Sequence, residues 1–488
     1  MYNKKPNLTT VTRRFVPNAR RLTAVLVYSI IITVAASMFS HVAFAIGKGG
    51  CPALTPAPTS DTKCYAALPG CLDITFGTNG VVISDPSVGE IGGNQATGVL
   101  VQPDGKIIVT GTTSGGVNTD GDFVVLRYNI DGILDTSFGD PDPLSPFLRL
   151  GYVRTKFTSL TDLSWTSLLQ PDGKIVVAGQ AYNSSGVIAW AVARYNSDGI
   201  LDASFGSGGK QILNISSASS SVQGMAIQSD GKLVLVGDPD FSIMRLNQDG
   251  SPDVSFGSGG KVTANPGSQG RSAGRAYAVA IQRIPAATGE ERIVVGGWGN
   301  SSVFALMRFR PNGAVDSTFG SSGRANTSFF GFGDQIRALA IDQANRIVAA
   351  GLTNTASSNC GLYVADFAVA RFTQNGTIDN SFSSDGRVST DVYGGYERAD
   401  GLLLQPDGKI VITGSTNSSV EDFALVRYND NGTPDSSFGI LGTGVVTTDI
   451  SPEDWGYGIA QQPWDGKIVV AGYSRFAHRN MTVLRYWP

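Results

Sequence analysis

The chain has little from which a catalytic or metal centre could be built. Its 488 residues include two histidines, four cysteines and, by direct count, six glutamates. His41 falls in the N-terminal leader described below, which leaves His478 near the C-terminus. A Ser-His-Asp apparatus would have to be assembled on that one imidazole, and a histidine-ligated metal centre is excluded. The cysteines at 51, 64, 71 and 360 are not spaced as a zinc finger and have no histidine beside them. Charged residues make up 16% of the chain, and no basic patch is interleaved with aromatics. Nucleic acid is therefore not an expected partner. No long amphipathic helical pattern occurs either, which together with 61 glycines favours an all-β chain.

What the chain does have is a repeat. The hairpin signal Gln102-Pro103-Asp104-Gly105-Lys106 recurs from Gln170, Gln228, Gln282, Gln343, Gln405 and Gln462. Neighbouring copies lie between 54 residues (228 to 282) and 68 residues (102 to 170) apart, the spacing of an array. After each hairpin comes an apolar run, a variable loop, a segment ending in Arg, a turn, and an Asp eight positions after the Arg. The pairs are Arg127 with Asp135, Arg194 with Asp202, Arg245 with Asp253, Arg308 with Asp316, Arg371 with Asp379 and Arg427 with Asp435. Arg485 has no such partner because the sequence ends at Pro488. The missing piece stands at the other end, in Leu72-Asp73-Ile74-Thr75-Phe76-Gly77.

That split repeat predicts a closed ring in which Asp73 serves Arg485. Each unit reads as four short strands. Asp-Gly between apolar runs is a hairpin turn, since glycine takes positive φ without steric cost. Runs such as Ile175-Val176-Val177-Ala178 are apolar throughout, as expected of strands buried on both faces. The expected fold is an all-β, seven-bladed β-propeller of four-stranded blades, over residues 72–488, with the N-terminal strand completing the last blade. An open β-solenoid is the alternative, and it leaves the split repeat unexplained.

Residues 1–45 read as a signal peptide. Lys4, Lys5, Arg13, Arg14, Arg20 and Arg21 precede an apolar run from Leu22 to about Phe39, and Ala43-Phe44-Ala45 offers a cleavage site. An uncleaved anchor is the competing reading. Cleavage would remove six basic residues and no acidic ones, taking the net charge from −3 to −3 − 6 = −9. The expectation is an exported protein, periplasmic or extracellular, monomeric, with no stable membrane insertion. Residues 46–71 form a tail holding Cys51, Cys64 and Cys71, among which at least one disulfide is expected.

Repeats of the form Gln170-Pro171-Asp172-Gly173-Lys174-Ile175-Val176-Val177-Ala178-Gly179, followed by Phe423-Ala424-Leu425-Val426-Arg427-Tyr428-Asn429 and Asp435-Ser436-Ser437-Phe438-Gly439, resemble the delta-60 repeats of exported bacterial proteins. The resemblance covers residues 72 to 487. It departs at Gln282-Arg283-Ile284-Pro285, at Asp342-Gln343-Ala344-Asn345-Arg346 and at Ser383, all turn positions. It implies a propeller-like repeat and export, and no activity.

Residues needed identically in every unit read as scaffold, so the Arg and Asp are expected to clamp each blade. The turns Asn129-x-Asp131-Gly132, Asn196-x-Asp198-Gly199 and Asn429-x-Asn431-Gly432 have oxygens at calcium-loop spacing, but lack the closing bidentate Glu. Ordinary turn chemistry accounts for them, so no cofactor is expected and Ca²⁺ is the alternative. The variable connections carry Tyr152, Phe329, Phe332, Tyr393, Tyr396, Trp455 and Tyr457, a candidate rim for an unidentified protein or glycan. No catalytic residue stands out. The expected function is a binding scaffold without catalysis. The alternative is a carbohydrate-active or lactone-type hydrolase or lyase, with loop carboxylates such as Glu397, Asp400, Glu453 and Asp454 in the central groove.

Overall fold

Seven four-stranded antiparallel sheets stand around an axis, and each is one repeat of the sequence. The computed structural model describes residues 67–488 apart from 88–92, 116–119, 146, 267–273, 285–288, 300–302, 332, 356–363 and 418–419. The leader, Cys51, Cys64, Cys360 and Phe332 lie outside the described residues.

Blade 1 shows the plan. Its strands are Asn94–Val101, Ile107–Gly115, Asp120–Tyr128 and Tyr152–Thr155, paired in that order. The Asp-Gly-Lys hairpin joins the first two, with Gly105 at φ 92°. The second and third strands are buried on both faces, as in Ile175–Tyr182 and Ile188–Tyr195 of blade 2. Because strands alternate in direction, the Asp-Gly-Lys and Asn-x-Asp-Gly turns emerge on one rim. The second-to-third loops and the connections between blades emerge on the other.

The first strands are innermost. They are Asn94–Val101, Leu163–Leu169, Val222–Ile227, Arg275–Arg283, Gln335–Ile341, Arg398–Leu404 and Asp454–Gln461. Each packs on the next, and the last packs on the first. The core divides the same way, into seven apolar clusters each spanning two neighbouring blades. Seven blades in a line would have six such interfaces. The seventh joins Val109, Val124 and Leu126 of blade 1 to Val469, Ala471 and Val483 of blade 7. There is no room there for another atom: a Cβ on Gly458 would lie 2.7 Å from the Val99 nitrogen.

Blade 7 takes its outer strand from the N-terminal side of the chain. Val81–Ser84 pairs antiparallel with Arg479–Tyr486, Val81 opposite Leu484 and Ser84 opposite Met481. Leu72 bridges Tyr486, and Phe76 is fully buried. Cys71 is buried as well and is not a free thiol.

The Arg of each repeat sits on the third strand, because the strand after Phe-Gly lies outside it. Two details differ from the sequence reading. In blade 5 the place of the repeated Gln is taken by Asp342, whose N–H donates to the Arg346 carbonyl, with Asn345 at φ 62° in the glycine position. Asp400 and Asp454 lie in inner strands, not loops.

Candidate functional site: the central funnel

Two sets of polar residues are brought together, one repeated and one not. The repeated set is the Arg–Asp unit. Each Asp accepts from its Arg Nε or terminal nitrogen, with Nε distances of 2.7 Å for Arg127 to Asp135 and 2.9 Å for Arg194 to Asp202. The values are 2.8 Å for Arg245 to Asp253 and 2.9 Å for Arg308 to Asp316. They are 2.7 Å for Arg371 to Asp379 and 2.8 Å for Arg427 to Asp435. Arg485 to Asp73 is 2.7 Å, although 412 residues separate them in sequence.

Six of these arginines also donate to a carbonyl in the next blade's Asn-x-Asp-Gly turn. Arg308 reaches Gln374 at 2.8 Å, and Arg485 reaches Ile130 in blade 1. The guanidinium lies over the Phe three positions after the Asp, from 4.4 Å for Arg427 on Phe438 to 4.8 Å for Arg371 on Phe382. A second cation comes to the same carboxylate: a hairpin lysine in five blades, as Lys106 to Asp135 at 2.7 Å and Lys467 to Asp73 at 3.0 Å, and Arg292 or Arg346 in blades 4 and 5. Burial opposes charge on these carboxyls, but the hydroxyl, lysine and arginine partners prevail. Asp435, for example, is held down at about 2. The Lys and Phe were both legible as repeated residues, yet only the fold shows that they share the Asp with the Arg.

The turn oxygens of the calcium reading are engaged locally. Asp131 accepts from the Ile133 N–H at 3.0 Å and Asn431 from the Thr433 N–H at 3.0 Å. Among the described residues, two other groups have carboxylates close enough to hold a cation: Asp366, Asp391 and Glu397, and Asp422, Asp449 and Asp454. Their most buried members already cap the backbone. Glu397 accepts from Val392 and Tyr393 N–H at 3.0 and 2.9 Å, and Asp454 from Ile450 and Ser451 at 2.7 and 3.0 Å.

Burial, reinforced by Asp391, pushes Asp366 up to about 7; burial, reinforced by Asp391 and Asp366 against two backbone N–H donors, pushes Glu397 to about 8. Folded protein thus holds protons that the unfolded chain has released, and stability from these groups falls as pH rises from about 4 to 8. The clamp carboxyls act oppositely, because their lowered values give stability that is lost as pH falls below about 4. The melting temperature is therefore expected to be higher at pH 5 than at pH 8. Glu397→Gln should shrink that difference, and an equal shift at both pH values would contradict it.

The unrepeated set lies at the axis. Every inner strand carries a one-residue bulge at the same place, and the bulged residues are Thr97, Trp165, Gln223, Tyr277, Arg337, Asp400 and Tyr457. A bulge re-aims a side chain out of the ladder. All seven line one cavity of about 540 Å³, joined by residues two positions earlier, among them Gln95, Arg275 and Arg398. The backbone device is the same in every blade, but the side chain differs in nearly every one. The seven equivalent positions hold six residue types, against one Arg and one Asp repeated in every blade.

The funnel's charged groups are tied together. Asp400 accepts from Arg337 Nε at 3.1 Å and Arg398 Nε at 2.8 Å. Arg337 lies over Tyr277 at 4.2 Å and Arg398 over Trp455 at 4.6 Å. Arg275 pairs with Asp238 at 3.1 Å. Burial opposes charge on Arg398, and Asp400 more than offsets it. Burial, with the Asp400 charge behind it, pushes the Tyr457 hydroxyl up to about 12, so it stays neutral.

Of the aromatic rim residues read from the sequence, Tyr457 lines the funnel and Trp455 stacks on it at 6.0 Å. The other described ones go elsewhere. Tyr152 packs on the apolar cluster between blades 7 and 1, and Phe329 lies edge-on to Phe304 at 5.1 Å. Tyr393 hydroxyl pairs with Thr447 at 2.6 Å, while Tyr396 is half-buried against Ala365. Glu453 is held at about 2, burial being outweighed by Arg475 and Arg479. The sequence reading missed Trp165, Tyr277, Arg275, Arg337 and Arg398. A signal existed: each bulged residue stands five positions before the repeated Gln, or before Asp342 in blade 5.

Six segments, residues 102–138, 170–205, 228–256, 292–319, 345–382 and 405–438, match the family model described as a domain of unknown function (DUF5122) beta-propeller. This chain is a β-propeller repeat protein. The matched segments of the propeller end at or beside the Phe of the clamp, and the unit divided between the chain ends is not among them. No curated protein matches the propeller. Among solved structures it is similar to virginiamycin B lyase from Staphylococcus aureus, with 9% identity over 83% of this chain and 98% of that one, at a TM-score of 0.43. It is also similar to an ulvan lyase of a polysaccharide lyase family, with 10% identity over 82% and 96% of the two chains, at a TM-score of 0.44.

Proposed function

We propose that this propeller is an exported, non-catalytic binding protein and that its ligand, a small carbohydrate, enters the central funnel. One observation carries the reading: the bulged position is built seven times in backbone and filled with chemically varied side chains that converge on a single cavity. Its size suits a small molecule. The amides of Gln95, Gln180 and Gln223 and the hydroxyls of Thr97 and Ser221 can exchange hydrogen bonds with sugar hydroxyls, and Trp165 and Tyr457 offer apolar faces. The seven Arg–Asp units serve the ring and not the ligand, since they sit on blade interfaces. Export rests on the basic and apolar leader over residues 1–45.

The enzymatic alternative draws on Asp238 and Asp400, acids of the same cavity. Each is already engaged in an ion pair, Asp238 with Arg275 and Asp400 with both Arg337 and Arg398. Glycan-array binding followed by titration calorimetry tests the two readings. Saturable binding without product supports the binding protein; turnover abolished by Asp400→Asn would establish the enzyme. Tyr457→Ala is expected to weaken a bound oligosaccharide about tenfold, the scale of one lost aromatic contact.

A further inference from the structure

The funnel's arginines are anchored at one end and unspent at the other. Asp400 takes only the Nε of Arg337 and of Arg398. No described residue accepts from the terminal nitrogens of either side chain. Both guanidiniums are mostly buried, at 20% and 19% side-chain exposure, and held flat on Tyr277 and Trp455. They come from neighbouring blades and share one carboxylate, so their free edges belong to one region of the cavity. Arg275, paired once with Asp238, adds a third cation to the same lining. The five charges sum to +1, against −3 for the whole sequence. The Trp165 Nε1–H is buried without an acceptor. The lining is therefore rich in hydrogen-bond donors, and it has used up its own acids.

Donors of this kind have a natural counterpart. A planar guanidinium edge matches two oxygens of a carboxylate or sulfate, and such charge-assisted pairs are stronger than neutral ones. A site facing only hydroxyls would leave the guanidinium edges poorly satisfied, which is costly away from bulk water. We infer that the funnel selects an acidic saccharide, one bearing a carboxylate or sulfate that Arg337 and Arg398 grip together while Trp165 and Tyr457 flank the sugar. The inference rests on the funnel being the binding site proposed above, and adds the charge of what it binds.

The test is titration calorimetry on the purified protein with three matched probes: digalacturonate, a sulfated disaccharide and a neutral disaccharide. At least one acidic probe should bind about tenfold or more tighter than the neutral one, and that preference should shrink as salt is raised from 50 to 500 mM, as expected for a charge-based contact. Which of the two acidic probes binds better identifies the anion. Arg337→Gln and Arg398→Gln should each cost the acidic probe about tenfold or more, a larger loss than the same variant imposes on the neutral probe, with melting temperature checked in parallel. A neutral probe that binds as well as both acidic ones overturns the inference and leaves the binding function standing. Failure of all three probes overturns both. The unmodified protein alone decides the preference, so the outcome does not depend on the variants folding.

Discussion

Deletion of residues 70–84 is expected to abolish cooperative thermal unfolding. The segment contributes Leu72 and Phe76 to buried positions, the outer strand of blade 7 and the carboxylate of Asp73. Burial of the two apolar side chains is worth roughly 2–3 kcal/mol each. Arg485, 4% exposed in the intact ring, loses its carboxylate, which costs about 3–5 kcal/mol more. The sum is comparable to the whole stability of a typical domain, about 5–15 kcal/mol. The deletion also uncovers Arg479–Tyr486 as a raw sheet edge, so aggregation should accompany the loss. Differential scanning calorimetry reads the result, and an unchanged transition would mean the two chain ends do not depend on each other.

Arg371→Met should lower stability by about 3–5 kcal/mol, read from the midpoint of chemical denaturation. The side chain is 1% exposed and serves four partners: Asp379, Ser381, the Asp430 turn of the next blade and the Phe382 ring. Removing it deprives a largely buried carboxylate of its main partner and cuts one tie between blades 5 and 6, leaving that of Arg346 to Asp430. Asp385→Asn is the contrast, since its pair with Arg387 is exposed and should be worth less than about 1 kcal/mol. If the two substitutions cost the same, the repeated arginines do not hold the blades.

The two polar sets differ in how far they could be read before the fold was known. Arg127 and Asp135 stand eight residues apart in a unit that recurs, so their pairing is a local event within one turn. Asp73 and Arg485 could be matched by counting units. Phe138 is repeated at a fixed offset and Lys106 closes a hairpin that recurs, and what was missing was only the knowledge that all four converge. Turn oxygens at Asp131 and Asn431, at calcium-loop spacing in the sequence, accept from their own backbone N–H groups, as a carboxylate or carboxamide beside glycine does in a tight turn.

The funnel was hidden for the opposite reason. Trp165, Tyr277 and Arg337 share no chemistry, so no motif connects them, and reading for aromatics on variable connections found Trp455 and Tyr457 but also Phe329 and Tyr393, which turn inward. What unites the funnel residues is a backbone irregularity, one extra residue in each inner strand, that composition does not record.

By itself, the sequence determined the blade: hairpin, doubly buried strands, turn and clamp are all set by neighbours within about sixty residues, and a repeat of such units can be read by offset alone. Only the tertiary structure decided the funnel. A ring places the same position of seven blades around one axis, and residues far apart in the chain then share a cavity and a charge balance that none of them has alone.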